Sequence, residues 1–345
     1  MGEAGPVGAA ADGLRRALAW GEGKLADPRV CAAAVFAGAA AVFIVRLPAA
    51  LERPAGGIDY GHYLATAHWL LGQEPTQFGH EAPFGYHAIL AVLIQLMAEP
   101  TATAVSGPLV AALLVPAGFV LARKAMPALA ALACGGLLAS AQNISDMIAW
   151  GGNPNLVALA CSLAAWRFVI EALGALKDPK PSLRPAMLAG LFIGLTLLSH
   201  FFAAFITLVT MGGFLGLGAV LRFFPLRPLL KPLLFASVVA GLAAAPAAPL
   251  YYTLLSQGSL SPSLDSVASA QTSVTSILYL NRDTSLLWLA AGALAAFGAA
   301  ALLAKKNLFG LYLVVGAMVP LALALTLLSP HATRTLCTVR RACTA

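Results

Sequence analysis

Charged residues are scarce in this sequence. Of its 345 residues, 21 are lysine or arginine and 14 are aspartate or glutamate, so that 10% are charged. A soluble domain typically carries roughly 25%. Hydrophobic residues make up 60% of the chain. The shortage of charge excludes an ordinary soluble globular domain and favours an integral membrane protein.

Cysteines are also few. The five cysteines are scattered, three of them within apolar runs and two near the C-terminal end. Their spacing spells out neither a disulfide framework nor a metal-binding motif. No cleavable signal is evident either, because residues 1–29 are polar and the first apolar run is long enough to remain as a span.

Long apolar runs dominate what remains. Most of them approach the ~20 residues that cross ~30 Å of hydrocarbon. Because lipid cannot bond to exposed backbone groups, the runs are predicted to be helices. The fold class is therefore all-α, a polytopic transmembrane helical bundle of about nine spans: 30–50, 104–122, 126–141, 154–172, 186–199, 201–221, 232–256, 285–304 and 307–328.

Basic residues cluster in the short segments between these runs, as expected of a multi-pass protein of the cytoplasmic membrane whose basic loops stay inside. Nucleic-acid binding is excluded on this pattern. The predicted organisation is a cytoplasmic N-terminal segment, 1–29, and a membrane domain, 30–328. Two outer loops, 51–103 and 257–284, then face the extracytoplasmic side. The tail, 329–345, is atypical of an outer face and is interpreted as a truncated or altered end.

The first outer loop contains two helical patterns. Residues 84–98 are apolar but too few to span, and are predicted to form an interfacial or re-entrant helix. The stretch 56–75, GGIDYGHYLATAHWLLGQEP, predicts an interfacial helix that begins near Asp59. Its apolar stripe is Tyr60, Tyr63, Leu64, Ala67, Leu70 and Leu71, with His62, Thr66, His68 and Trp69 turned away. Asp59 is either a helix cap or a catalytic carboxylate.

The stretch 143–155, NISDMIAWGGNPN, is predicted to be a second outer loop. Its Asp146 is either a solvated acid or part of a site. Asn153 is expected to cap the following helix, with Pro154 at its first position. Gly151, Gly152 and Asn153 then serve capping alone or also bind a phosphate at the helix N-terminus.

Four further residues are candidates on the outer side. His200 lies between two apolar helices and either lines a cavity or bonds to a backbone carbonyl. Arg46 lies near the outer end of the first span, and its guanidinium can reach the headgroups. Arg282 and Arg334 can likewise bind a phosphate, although Arg282 has Asp283 as an alternative partner.

Four segments together resemble the GT-C superfamily of membrane glycosyltransferases, over roughly residues 30–330. They are an aspartate followed by an aromatic-rich helix, DYGHYLATAHWLLGQ, then HEAPFGYHAILAVLIQL, WGGNPNLVALACSLAAW and LAGLFIGLTLLSHFFAAFITLV. The resemblance implies an enzyme that takes a sugar from a polyprenyl-phosphate carrier and transfers it to a glycan, lipid or protein acceptor outside the membrane. Membrane lipids are its other partners.

The resemblance also implies roles for the candidates. Asp59 matches the first-loop aspartate that acts as general base, and Asp146 falls where a second acid binds metal or acceptor. Asp146 lacks the paired Asp-x-Asp arrangement, so a divalent metal ion is an optional cofactor, with Asp59 and Asp146 as its ligands. The expected substrate-binding residues are Arg46, His62, Tyr63, Gly151, Gly152, Asn153, His200, Arg282 and Arg334.

Two other functions stay open. A transporter or flippase of lipid-linked sugars would use a similar cavity, but it should show two related halves with paired broken helices. The sequence has no such internal repeat. A noncatalytic membrane assembly subunit is the third interpretation, and the atypical tail is its best support.

Overall fold

The structure is a computed structural model that describes residues 6–52, 60–73, 84–178, 181–248 and 285–327. Every regular element within these ranges is a helix, which confirms the all-α prediction. Six helical segments there are long and apolar enough to cross a membrane: 28–52, 99–122, 128–149, 153–175, 201–220 and 227–247. The chain is therefore a multi-pass membrane protein, and the count of nine spans stays a prediction.

Thirteen helices are described. They are α1 (Pro6–Leu25), α2 (Pro28–Glu52), α3 (Tyr60–Leu70), α4 (Phe84–Leu96), α5 (Glu99–Ala122), α6 (Ala128–Ser140), α7 (Gln142–Trp150), α8 (Asn153–Ala175), α9 (Arg184–Ser199), α10 (Phe201–Val220), α11 (Leu230–Ala244), α12 (Ser285–Ala304) and α13 (Leu308–Leu327). Short 3₁₀ turns, Arg227–Leu229 and Ala245–Ala247, flank α11.

The chain divides into two compact units. The predicted organisation into an N-terminal segment, a membrane domain and a tail stays a prediction. The first comprises the described parts of Met1–Ala172, Lys180–Ala204 and Leu230–Leu250. The second comprises those of Leu173–Pro179, Phe205–Leu229 and Tyr251–Ala345.

The centre of the first unit is α5, which packs against α2 and α6. Small residues let the helices approach closely, which is how helices associate where lipid is as apolar as the side chains. Gly118 of α5 lies against Gly135 of α6, and a Cβ on Gly135 would stand 2.4 Å from the carbonyl oxygen of Val115. Gly190 of α9 makes a similar approach to the backbone of Ala236 in α11.

The N-terminal segment is helical and attaches to the bundle through Glu22 of α1. Its carboxylate accepts hydrogen bonds from the backbone N–H groups of Ala128 and Leu129, at 2.6 and 3.0 Å. These groups begin α6, where Pro127 offers no side-chain cap. The two backbone hydrogen bonds hold the pKa of Glu22 below its ordinary value, so the carboxylate stays ionised as a substitute cap.

The predicted outer loop around Asp146 is wrong, because Gln142–Trp150 forms helix α7. The helical segment that starts at Ala128 is broken at Ala141, which has an extended ψ of 143°. It then continues in α7 as far as Gly151, whose φ of 96° ends the helix in the left-handed conformation. Polar residues that look like a loop in sequence are here one face of a short amphipathic helix.

Both helices predicted in the segment 51–103 lie within the described residues. The pattern at 84–98 forms α4, whose 13 residues are too short to cross the bilayer. In α3, Tyr60, Tyr63 and Ala67 are buried as the stripe predicted, but they pack into the protein core rather than onto lipid. The outward placement of Thr66 was wrong, because Thr66 is fully buried.

The second unit contains the α12–α13 pair, joined by a tight turn. Gly310 at the start of α13 lies directly against the backbone of Leu303 in α12. Phe224, which follows α10, and Leu311 of α13 both lie close to Gly218 of α10.

Adjacent glycines test the helix contact. Gly135→Ala should destabilise the protein by about 1–3 kcal/mol, because the new methyl group overlaps backbone of α5. Gly136→Ala meets open space and should stabilise α6 by roughly 0.5–1 kcal/mol through helix propensity. Thermal unfolding of the two variants in detergent measures the difference, and a Gly135→Ala variant as stable as Gly136→Ala would contradict the packing.

Candidate functional site

A cavity of about 750 Å³ lies in the first unit, between α2, α5 and α7. Most of its wall is apolar. Ala41, Val42 and Val45 of α2 line it, and Val45 is 78% exposed at the outside of the bundle. Its polar groups are the side chains of Arg46, Glu52, Tyr60, Ser140 and Ser145. The cavity thus joins an apolar wall to a cluster of polar groups.

Arg46 is held at the cavity by two neutral partners. One guanidinium nitrogen donates to the Ser145 hydroxyl at 2.8 Å, and another donates to the Ala139 carbonyl at 2.7 Å. The guanidinium keeps further N–H donors beyond these two bonds. Arg46 is therefore fixed in orientation while retaining hydrogen-bonding capacity for a ligand.

No described carboxylate lies within ion-pairing distance of Arg46, although this arginine belongs to a span. Arg167 of α8 shows the contrasting arrangement, since it pairs with Glu171, which also accepts from Lys124. A charged side chain in a membrane helix is costly unless something compensates it, and it marks a functional site by default. Arg46 therefore makes this cavity the candidate functional site.

A buried hydrogen-bond network adjoins the cavity at Tyr60. The amide nitrogen of Asn153, which is fully buried, donates to the hydroxyls of Tyr60 and Tyr86 at 2.9 and 3.1 Å. Tyr86 is bonded to Ser106 at 2.7 Å, and Ser106 donates in turn to the Thr103 carbonyl. The network ties α3 and α4 to α5 and α8, and it fixes the position of Tyr60.

Tyr60 is a neutral group in this setting. Burial raises the pKa of its hydroxyl, and the hydrogen bonds with Asn153 and Ser106 lower it by less. The phenol therefore stays protonated at neutral pH. A base at this cavity would have to be a carboxylate.

Tyr63 and Gly151 have structural roles. The Tyr63 hydroxyl donates to the Gly151 carbonyl at 2.6 Å, and its ring packs edge-on against Tyr86 and His87. The backbone N–H of Gly152 bonds to the Met147 carbonyl at 2.6 Å, as in a glycine-terminated helix end. The left-handed conformation at position 151 thus requires a glycine.

The predicted cap at Asn153 was wrong. Helix α8 begins at Asn153 itself, and the Gly152 carbonyl accepts from the N–H groups of Asn155 and Leu156. The side-chain oxygen of Asn153 accepts no hydrogen bond within the described chain, so it does not cap. Residues 151–154 are all buried and do not line the cavity, which leaves this helix N-terminus closed to it.

Asp146 faces away from the cavity. It is exposed, and its carboxylate accepts from Gln142 one helical turn earlier, at 2.9 Å. Its neighbours Ser145 and Ala149 line the cavity instead. The structure does not bring Asp146 together with Arg46.

The two candidate histidines lie outside the cavity lining. His62 is exposed on α3, and its carbonyl accepts from Thr66. His200 separates α9 from α10 with extended backbone, and its Nδ1 accepts from the Ala203 N–H at 3.2 Å. His200 therefore caps α10 by accepting a hydrogen bond from a backbone N–H. The alternative considered from sequence was a hydrogen bond to a backbone carbonyl.

Three predicted residues, Asp59, Arg282 and Arg334, fall outside the described residues, as do the loop 257–284 and the tail 329–345. Among the described residues no three His, Cys, Asp or Glu side chains converge as metal ligands. A divalent metal ion stays an untested prediction.

Of the polar lining residues the sequence interpretation named only Arg46 as a site residue, and it missed Glu52, Tyr60, Ser140 and Ser145. Glu52 is the last residue of α2 and contributes the carboxylate among the described lining residues. Ser145 orients Arg46. The signal for Ser145 was its position in a polar stretch that becomes one face of α7, and Glu52 could be found only as an acid at the end of the first span.

The buried network makes a stability prediction. Asn153→Ala should cost about 1–3 kcal/mol of unfolding free energy, because two buried tyrosine hydroxyls lose their donor. Asn155→Ala removes an amide two residues later that is only half-buried, and it should change stability by less than about 0.5 kcal/mol. Denaturant or thermal unfolding compares them. Equal stability of the two variants would contradict a stabilising role for the network.

Comparison of the chain with known proteins gives no further guide to its identity. No family model matches it, and no curated protein is similar to it at a significant level. The function therefore has to be argued from the cavity itself.

Proposed function

We propose that this protein is a GT-C-like membrane glycosyltransferase that transfers a sugar from a polyprenyl-phosphate carrier to an acceptor on the extracytoplasmic side. The proposal rests on Arg46, a residue of α2 that lines the cavity and has no described carboxylate partner. An anion bound there would supply the compensating charge.

The shape of the cavity suits a phosphate that carries a hydrocarbon chain. Arg46 provides N–H donors in the planar arrangement that matches a phosphate. Ala41, Val42 and Val45 continue the wall along the same helix as apolar surface, and Val45 is exposed at the outside of the bundle. An isoprenoid can follow this wall and extend into lipid while its phosphate contacts Arg46.

The base is proposed to be Asp59. This residue immediately precedes Tyr60, whose side chain lines the same cavity. The acceptor hydroxyl gives its proton to the Asp59 carboxylate as its oxygen bonds to the anomeric carbon. The bond from that carbon to the carrier phosphate breaks, and the phosphate leaves with the electron pair. A single displacement of this kind inverts the configuration at the anomeric carbon.

Arg46 would act on the leaving group. As the carbon–oxygen bond breaks, negative charge grows on the carrier phosphate. A guanidinium already oriented by Ser145 and the Ala139 carbonyl stabilises that charge without having to reorganise. Tyr60, a neutral hydroxyl fixed by Asn153, is suited to hydrogen-bond a sugar or acceptor oxygen.

The base is tested with a pair of carboxamide variants. Asp59→Asn should lower transfer from a labelled polyprenyl-phosphate sugar at least ~100-fold, since proton transfer to a positioned base contributes this much or more. Glu52→Gln, which alters the carboxylate of a described lining residue, should retain most activity.

Product formation by purified protein is the measurement, with a folding check by thermal unfolding. Full activity in a folded Asp59→Asn variant would contradict the mechanism, and loss confined to Glu52→Gln would move the role of base to Glu52. Movement of the carrier across vesicles without cleavage would favour the transporter.

The phosphate contact is tested at Arg46. Arg46→Gln should raise the KM for the donor roughly 10-fold to 100-fold, because a charged hydrogen bond to the phosphate is lost. Arg123→Gln is a matched control, since Arg123 bonds to the Met126 carbonyl outside the cavity. Steady-state kinetics with varied donor gives the KM, and an unchanged value in Arg46→Gln would exclude a phosphate at this position.

A further inference from the structure

The second unit contains a cavity of its own, of about 970 Å³, with four basic side chains in its wall. They come from three segments of the chain: Lys177 from the first, Arg222 and Arg227 from the second, and Lys306 from the third. The rest of the wall is alanine, leucine, phenylalanine and proline, and no acidic residue lines it. Three basic clusters that the sequence assigned to one side of the membrane thus meet at one cavity.

Two of these cations occupy backbone positions that favour glycine. Arg222 has φ of 56° and Lys306 has φ of 51°, both in the left-handed region. Each lies just after a helix end, where the N–H of the next residue bonds five residues back, from Phe223 to Gly218 and from Asn307 to Leu302. Glycine is the usual residue at this position because a side chain there is strained.

Interaction with the helix dipole explains the sign of these charges but not the residue type. A cation near a helix C-terminus is favourable, and it need not sit at the one position where a side chain costs most. Here a basic residue sits at that position after both α10 and α12, and both line the same cavity. Backbone strain retained at two positions of one cavity indicates a function.

The four cations have no ion-pair partner among the described residues. None of them forms an ion pair with an acidic residue in the described part of the second unit, and all four are exposed. Basic side chains gathered around one cavity create a positive potential that attracts an anion.

We infer that this cavity binds the phosphate of an anionic phospholipid. It lies at the ends of α8, α10 and α12, where a membrane protein meets the headgroups. Buried Phe223 and Phe224 and exposed Leu226 add apolar surface beside the cations, as a lipid with acyl chains requires. A free phosphate would use the cations but not this surface.

The test is a lipid titration of the purified full-length chain in neutral detergent, followed by thermal unfolding. Phosphatidylglycerol should raise the Tm and phosphatidylcholine should not. In Arg222→Gly/Lys306→Gly the apparent affinity for phosphatidylglycerol should fall roughly 30-fold, from the loss of two cations at a membrane surface. The lipid-free Tm of this variant should not fall, because glycine adopts the left-handed conformation without strain.

A charge-matched control is Arg123→Gln/Lys305→Gln. It removes two cations that do not line the cavity, one of them adjacent to Lys306. This control should bind phosphatidylglycerol as the wild type does. Native mass spectrometry of retained lipids provides a readout that does not depend on unfolding, and Arg227→Gln provides a variant that leaves both left-handed positions intact.

Three outcomes would overturn the inference. Equal loss of lipid binding in the glycine variant and the control would show that binding depends on general surface charge rather than on this cavity. Wild-type lipid affinity in the glycine variant would exclude the cavity. Displacement of phosphatidylglycerol by inorganic phosphate, with the same rise in Tm, would exclude a lipid in favour of a free anion. None of these readouts depends on glycosyl transfer, so they are independent of the proposed function.

Discussion

The cost of a guanidinium inside an apolar helix is the constraint on which the first unit depends. Arg46 belongs to a helix that is long and apolar enough to cross a membrane, and hydrocarbon offers a guanidinium no hydrogen-bond partners. The Ala139 carbonyl at the end of α6 and the Ser145 hydroxyl of α7 accept its hydrogen bonds. These acceptors flank the break at Ala141, so the arginine and the break support each other. The cavity forms where these groups meet.

A second set of buried polar groups positions the other side of the cavity. Asn153 bonds to Tyr60 and Tyr86, and Tyr63 bonds to the Gly151 carbonyl. A buried network of this kind is favourable only when its members find partners, and it then holds its elements in one arrangement. Helix α3 is thereby fixed to the α7–α8 junction. In the proposed mechanism this separates two tasks: Arg46 compensates phosphate charge, and a carboxylate next to Tyr60 accepts the proton.

Hydropathy predicted the helices that are long and mostly apolar. The predicted spans 104–122, 154–172 and 201–221 correspond to α5, α8 and α10 within a few residues, because continuous apolar length is a strong local signal. The short helix α4 was predicted from the apolar run 84–98, which is too short to cross the bilayer. Helix α7 was missed because its polar residues resemble a loop, and only its packing against the cavity shows that they form one helical face.

The site was less predictable than the fold. Asn153 follows two glycines and precedes a proline, which locally favours a cap. Its side-chain amide instead donates hydrogen bonds to the hydroxyls of two tyrosines from other helices. Thr66 is polar in sequence yet fully buried, because its hydroxyl bonds to the His62 carbonyl within the same helix. Arg46 was one of three arginines proposed from sequence to bind a phosphate. It is the one of the three that lies within the described residues, and its two neutral partners could not be predicted from sequence.

The most direct test of the account is an electron cryo-microscopy map of the full chain in a lipid nanodisc with a polyprenyl monophosphate. The account predicts phosphate density within hydrogen-bonding distance of the Arg46 guanidinium, with the isoprenoid running along Val42 and Val45. Phosphate density elsewhere, or a map in which the Asp59 carboxylate pairs with Arg46 and fills the cavity, would contradict it.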